Sequence, residues 1–267
     1  MTSATSRDPA PAAVARARKP RYAVEVRRIE RLSPRMVRVT FGGEELGGFL
    51  WSGPASHVKL LFAPEARPDA TEAARATTRT YTPRRFDREA RELDVEFVIH
   101  GEGPASAWAA QAAVGQRLTV AGPGRAYELD SAADWYLLAG DDSAIPAVCT
   151  LLEALPGAAR KLVLLEVVDA AEERPLGVAA PNCEVTWLVR GTDPASAGRT
   201  LEAAVRAVPL PAGLGRMYIA CEADAMRRIR RHLLTERQFP RERLVTRGYW
   251  RLGETDHPDR DYGEDIA

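Results

Sequence analysis

The chain is short of the residues from which metal sites and nucleophilic centres are usually built. Of its 267 residues, three are cysteine (Cys149, Cys183 and Cys221) and four are histidine. The cysteines stand singly, with no C-x-x-C pair and no histidine at ligand spacing, so no metal-ligand set is expected and a reducing, cytoplasmic setting fits best. No apolar run approaches the roughly 18 to 20 residues that a membrane helix needs, and the first residues lack the apolar core of a secretion signal. Net charge is missing as well. Lys plus Arg and Asp plus Glu balance at 37 each, which leaves no global field to attract nucleic acid or an acidic membrane, and any basic site must be local. Lysine is almost absent, with Lys19, Lys59 and Lys161 the only ones.

What is present is 45% hydrophobic and 28% charged residues, the balance of an ordinary globular protein of one large or two medium domains. Residues 1–20, rich in Ala, Pro and Arg, read as a disordered tail. Residues 254–267 read as an acidic C-terminal tail, and from 255 onward no periodicity suggests structure. Between the tails the pattern changes once. Across residues 22–121 apolar side chains alternate at period two: Val24 and Val26; Val37, Val39 and Phe41; Val58, Leu60 and Phe62; Leu93, Val95, Phe97 and Ile99. Half-buried antiparallel strands separated by Gly and Pro clusters, with residues 117–121 as the last, predict a small β-barrel domain over residues 21–130. From Trp135 onward short apolar runs alternate with helical patterns, which predicts an open parallel sheet with helices on both faces over residues 131–253. The chain is therefore expected to be a two-domain protein, an antiparallel β-barrel followed by an α/β domain.

Within the barrel, Arg79-Thr80-Tyr81-Thr82 carries the most chemistry. The Arg suits a bidentate contact to a pyrophosphate, the Tyr suits an isoalloxazine face, and the Thr hydroxyl suits the ring edge. Taken alone, the same four residues also describe a surface strand with a solvated Arg. Alternation places Arg79 and Tyr81 on one side and Thr80 and Thr82 on the other, so Thr82 needs a strand end or twist to join them. Residues 93–100 are the expected hairpin partner of this segment, and residues 64–76 a loop just before it. After Gly101 and Gly103 a helix begins at Pro104, whose first-turn N–H groups either meet phosphate oxygens or simply close a barrel end. In the second domain, residues 140–143 follow the first strand, at the place where open α/β sheets bind ligands. They lack G-x-G-x-x-G, and Asp141 and Asp142 suit helix capping or a ribose contact, leaving Ser143 or a backbone N–H for phosphate. Cys221 lies at a strand's carboxyl end, where a packed thiol is expected over a reactive one. Arg190 is placed to meet a 2′-phosphate, whereas Glu166 and Asp169 argue for an unphosphorylated ribose. Met226, Ile229 and Leu233 form an apolar stripe opposite a basic face of Arg227, Arg228, Arg230 and Arg231. Trp250 and Arg251, at the tip of the last strand, either line the interdomain cleft or cap the sheet edge.

The ordered set His57-Val58-Lys59-Leu60, Arg79-Thr80-Tyr81-Thr82-Pro83-Arg84, Val95 through Gly101, Gly103 through Ala109, Ala121-Gly122-Pro123-Gly124, Asp134 through Asp141, Ile145-Pro146-Ala147 and Gly248-Tyr249-Trp250-Arg251 resembles the siderophore-interacting proteins. These are a branch of the ferredoxin-reductase-like flavoproteins. The resemblance spans residues 21–253 and implies an FAD-binding barrel, a pyridine-nucleotide-type second domain and reduction of ferric siderophores in the cytoplasm with release of Fe(II). By motif match it implies that Arg79, Thr80, Tyr81, Thr82, Val98, His100, Gly103, Ala105, Ser106 and Trp108 hold FAD, with Thr82 positioned for catalysis. It implies that Gly140, Asp141, Asp142, Ser143 and Ala144 meet NAD(P)H, and that Lys59, Arg125 and Arg251 face an anionic ferric siderophore. Three positions depart from the family pattern: Arg125 stands where a small residue is usual, Cys221 where Gly is usual, and Leu252 where a second Arg is usual. The other functions weighed are a flavin reductase with a different acceptor or with ferredoxin as donor, and a siderophore-binding module without turnover. A monomer is expected, with no nucleic-acid or membrane partner.

Overall fold

The computed structural model describes residues 19–62, 77–101, 103–177, 179, 181–255, 257–258 and 261–263. The expected loop 64–76 and all but the last two residues of the expected N-terminal tail lie outside them. Seven antiparallel strands form the first unit: β1 (Arg21–Ser33), β2 (Met36–Gly42), β3 (Val58–Phe62), β4 (Thr77–Tyr81), β5 (Pro83–Asp87), β6 (Glu92–Val98) and β7 (Arg117–Ala121). Their order is β4-β3-β7-β1-β2-β6-β5. The alternating apolar residues all turn inward, and Val26, Val39, Phe41, Val58, Leu60, Val95 and Phe97 have no measurable exposure. The two edge strands, β4 and β5, are consecutive in the chain and joined by Thr82 alone. Opposite edges of one sheet can be a single residue apart only if the sheet curls on itself, which gives the barrel. A helix, α1 (Pro104–Ala110), plugs it, with Trp108 packed against Phe41, Phe62 and Phe97 at centroid distances of 6.0, 5.5 and 5.6 Å.

One expected pairing is corrected. Residues 93–100 were to pair with the whole segment carrying Arg79, yet β4 pairs with β3, placing Arg79 opposite Leu60 and Tyr81 opposite Val58, and only β5 pairs with β6. Alternation fixes which face a residue takes but not which edge a strand joins. Pro83, which has no N–H to donate, begins the second strand.

The second unit is a five-stranded parallel sheet of β8 (Trp135–Asp141), β9 (Arg160–Val167), β10 (Cys183–Val189), β11 (Gly215–Glu222) and β12 (Leu244–Trp250), in the order β10-β9-β8-β11-β12. Tyr136 and Leu138 pack on α2 (Ile145–Ala154), whereas Trp135, Leu137 and Ala139 face α3 (Arg199–Ala207) and α4 (Ala223–Arg231), so helices cover both sides of the sheet. Strand order reverses between β8 and β11, and the crevice outside their carboxyl ends is the topological switch point. Among the described residues no helix is long and apolar enough to cross a membrane.

The two units meet over a mixed interface. Met36 of β2 is buried in the core around α2. Ala55 N donates to Thr150 Oγ1 at 2.9 Å, and Arg84 pairs with Glu153 at 2.8 Å. Glu172, itself buried, accepts from Ser33 Oγ at 2.5 Å and from Arg35 N at 3.3 Å.

The acidic C-terminal stretch is not the structureless tail expected from residue 255 onward. Asp261 accepts from Arg227 and His257 at 2.8 and 2.9 Å, and its carbonyl accepts from Gly248 N. Arg247 lies 4.2 Å from the Tyr262 ring centroid, and Gly263 sits against Met226 and Arg230. This segment covers α4, which is why Arg230, expected on a solvated face, is buried. Replacing Glu172 with Ala leaves the Ser33 and Arg35 donors without their partner, a loss of about 1–3 kcal/mol. Thermal denaturation of Glu172→Ala beside the exposed control Glu184→Ala checks this, and equal midpoints would count against the anchoring role.

Candidate functional site

The Arg79 guanidinium emerges from β4 half-buried and donates to the Thr78 carbonyl at 2.9 Å and to the Thr255 carbonyl at 2.5 Å. Thr80 lies directly across the ladder from Lys59. Tyr81 packs on Phe97 with centroids 4.5 Å apart, and burial pushes its phenol pKa up, so the ring stays neutral. Thr82 occupies the one-residue joint between β4 and β5, and its buried side chain lies beside the Tyr249 hydroxyl near the end of β12. The strand end that Thr82 needs to leave the alternation is thus present.

Beyond β6 the described residues 99–101 and 103 lead to α1. His100 N donates to the buried Ser106 Oγ at 3.0 Å, folding the loop onto the start of α1. Gly103 has φ 80°, a left-handed conformation that L side chains rarely adopt, and the nearest atom to an added Cβ is the His100 ring at 3.9 Å. Gly103 therefore answers a conformational demand and not a shortage of space. Ala105 is buried, and Val98 packs at the domain interface. Trp108 belongs to the aromatic plug inside the barrel.

At the switch point, the Asp141 carboxylate is buried and accepts from four donors. Ser143 N and Oγ reach Oδ1 at 3.0 and 2.5 Å, and Glu222 N and Trp250 Nε1 reach Oδ2 at 2.9 and 2.8 Å. Burial raises its pKa, and the hydrogen bonds oppose that rise. Trp250 is thus tethered over the crevice. Gly140 is required by space: a Cβ there would stand 2.5 Å from Ala144 Cβ and 2.6 Å from the Ala220 carbonyl oxygen. Asp142 is half-buried at the rim, and burial together with the Asp141 charge pushes its carboxyl up to about 7. The neighbouring Cys221 thiol is wholly buried, and its pKa is raised well above the usual value by burial and by the surrounding carboxylates. That is the packed thiol expected.

Two sequence arguments about the nucleotide are revised by these contacts. Glu166 is not open to a ribose. Its carboxylate accepts from Gly198 N, Thr200 Oγ1 and Leu201 N at 2.6, 2.5 and 2.8 Å and caps α3. Arg190 folds onto the Gly191 and Asp193 carbonyls, with Glu166 at 3.8 Å. Of the three basic residues assigned to substrate, Lys59 sits on β3 and Arg125 is exposed just after the turn at Gly124, whose N–H donates to the His57 carbonyl. Those two share one end of the barrel. Arg251 lies on the other unit and pairs with Asp224 at 3.1 Å and Glu254 at 3.2 Å.

Tyr218 and Tyr249, whose hydroxyls are 2.7 Å apart, form a link to Thr82 that sequence reasoning missed. The capping role of Glu166 was missed too, although a signal existed: β8, β9 and β11 each place an acidic residue at or near the end of an apolar run (Asp141, Glu166, Glu222), and each serves as a buried acceptor. An FAD dinucleotide suits the barrel side of this cleft. The guanidinium of Arg79 on the edge-forming strand and the neutral ring of Tyr81 have the chemistry that a phosphate and a flavin ring require, and the glycine turn at Gly103 leads into α1.

Comparison with known proteins agrees with this arrangement. The siderophore-interacting FAD-binding domain matches residues 25–127, and the siderophore-interacting protein domain matches residues 133–253. The chain is 33% identical to ferric vibriobactin reductase of Vibrio cholerae, over 84% of this chain and 87% of that protein. It is 30% identical to the NADPH-dependent ferric-chelate reductase of Escherichia coli, over 84% and 91%. A siderophore utilization protein from T. fusca superposes with a TM-score of 0.81 at 38% identity, covering 90% of this chain and 96% of that one. Two family matches in order along the chain, on a barrel and an α/β sheet that share one cleft, show that this chain belongs to the siderophore-interacting protein family.

Proposed function

We propose that this protein is an FAD-dependent ferric-siderophore reductase, carrying electrons from NAD(P)H through FAD to Fe(III) in a siderophore and releasing iron as Fe(II) in the cytoplasm. One observation carries the reading: Arg79, Tyr81 and Thr82 lie together along the seam of the barrel, and buried Thr82 stands beside Tyr249, near the carboxyl end of the nucleotide-type sheet. The residues assigned to the two cofactors therefore share one wall of one cleft.

FAD, when bound, supplies the conversion of a two-electron hydride into single electrons. The chain's own residues do the rest. Arg79 holds the pyrophosphate by charge-assisted hydrogen bonds. Tyr81 presents an uncharged ring, and Thr82, fixed by Tyr249, orients the reactive edge. Val98, His100, Gly103, Ala105 and Ser106 shape the loop along which the dinucleotide lies, and Trp108 braces it from inside the barrel. The 140–144 loop receives NAD(P)H, with Asp141 organising the loop from within by holding the N–H and hydroxyl of Ser143, which leaves phosphate contacts to other backbone groups of the loop. Lys59 and Arg125 draw in the anionic chelate, while Arg251 is partly neutralised by its two carboxylates. Iron as Fe(II) is a weaker match for hard oxygen ligands, so reduction loosens the complex.

The protein as purified should show oxidised-flavin absorption bands. Under anaerobic conditions NADH or NADPH should bleach them, and a ferric siderophore with an Fe(II) trap should restore them as Fe(II) accumulates. Bands that neither nucleotide bleaches would move the reading to a ferredoxin donor, and a colourless protein that cannot be loaded with FAD would end it. Removal of a hydrogen bond to a charged group costs about 1.5–3 kcal/mol, so Arg79→Ala should bind FAD about 10- to 100-fold more weakly. Flavin-to-protein absorbance ratios after dialysis report this, and full retention of flavin would show that Arg79 does not hold the pyrophosphate.

A further inference from the structure

A second cleft lies where the barrel meets α2. Its volume is about 830 Å³, within the range of sites that hold a small molecule. None of the residues assigned to flavin, nucleotide or siderophore lines it. Its walls come from β1, β2, β5 and β6 of the barrel and, on the other unit, from α2 and residues 174–177. Alternation turns Val37, Val39, Val95 and Phe97 into the barrel, so Arg38 and Glu96, directly opposite each other in register, point outward. The second unit then covers them, and Glu96 ends up buried.

Three guanidinium groups surround that carboxylate, and it satisfies one. Arg38 reaches Glu96 Oε1 through Nε and Nη2 at 3.2 and 2.7 Å. Arg84 and Arg174 stop 3.9 Å from Glu96, beyond hydrogen-bond length. Arg84 is 8% exposed; its Nη2 pairs with Glu153 at the rim at 2.8 Å, and among the described residues its Nε has no acceptor. Arg174 has the Glu172 carbonyl at a long 3.4 Å. The other acids on the walls are engaged, Glu30 with Arg38 at 3.3 Å and Asp94 with the Thr40 hydroxyl at 2.6 Å. The cleft thus holds more donors than acceptors. A guanidinium does not lose its proton, and a buried donor without an acceptor is costly. What such a site lacks is an anionic oxygen. Phe86, Ile145 and Leu176 form an apolar wall beside it.

We propose that this cleft binds a small organic anion, a carboxylate or a phosphate ester, whose oxygens accept from the guanidinium groups of Arg84 and Arg174 while its apolar part lies against Phe86, Ile145 and Leu176. Arg84 belongs to the barrel and Arg174 to the second unit, so the ligand bridges the two. The site is independent of the residues assigned to FAD and NAD(P)H.

The test is isothermal titration of the full-length protein as purified with benzoate and with phenyl phosphate, which share an apolar ring and differ in the oxyanion. Benzamide, uncharged and close in shape to benzoate, is the control. Wild type should bind at least one of the two anions, and more tightly than benzamide. Loss of a hydrogen bond to a charged group weakens binding about 10- to 100-fold, so Arg84→Gln should lower that affinity by such a factor. Arg174→Gln, at a less buried position, should do the same and carries the test if the first variant does not fold. Far-UV circular dichroism and the visible spectrum should match wild type in both. Tighter binding of benzoate supports the proposal with a carboxylate ligand, and tighter binding of phenyl phosphate supports it with a phosphate ester. Inorganic phosphate bound as tightly as phenyl phosphate overturns the organic ligand. Absence of binding by either anion at millimolar concentration overturns the proposal, as does binding that folded variants keep at wild-type affinity, which would place the probe elsewhere on the protein.

Discussion

The cleft depends on one buried carboxylate. Asp141 gathers donors from its own loop, from the end of β11 and from the indole at the end of β12. Three parallel strands that would otherwise splay at their carboxyl ends are drawn onto two oxygen atoms. A carboxylate taken out of water is costly unless its donors are in place, and in low dielectric the satisfied set is stronger than the same bonds in solvent. The arrangement is therefore close to all-or-none. With it, Trp250 is tethered and Tyr249 is placed to reach Thr82.

This solution differs from a glycine-rich phosphate loop. Close approach is achieved by one glycine, Gly140, pressed between Ala144 and the Ala220 carbonyl. Acidic side chains occupy places where a G-x-G-x-x-G loop would leave bare backbone. Most of these acids are turned inward as acceptors for helix starts and strand ends, so their charges are offset locally. The strand-end side of the cleft is consequently held by internal hydrogen bonds. The barrel side is built the opposite way, from a guanidinium, a ring and a hydroxyl standing on an edge-forming strand beside an open loop.

Much of this was legible in the sequence because local periodicity reports local burial. The change from period two to alternating strands and helices near Trp135 marks where the antiparallel sheet gives way to the parallel one, and the apolar runs match the strands. The ordered motifs likewise led to the family. What was not legible was long-range choice. Nothing in residues 78–85 says that their first half joins β3 and their second half β6, because either edge satisfies the same alternation. Glu166 resembled a ribose contact because a strand-end acid is the same letter whether it caps a helix 32 residues later or faces a ligand. Arg230 looked solvated because the residues covering it come from a stretch without periodicity, held by Asp261 and the Tyr262 ring rather than by a repeating apolar face.

The one-residue joint at Thr82 has a consequence for how the protein reaches its active form. Strands β4 and β5 are neighbours in sequence but sit at opposite ends of the strand order, so β4 must seat on β3 and β5 on β6 for the seam to have both its walls. Arg79, Tyr81 and Thr82 stand on that seam. Flavin held by those residues would then report, through its absorbance, that both edge strands are seated.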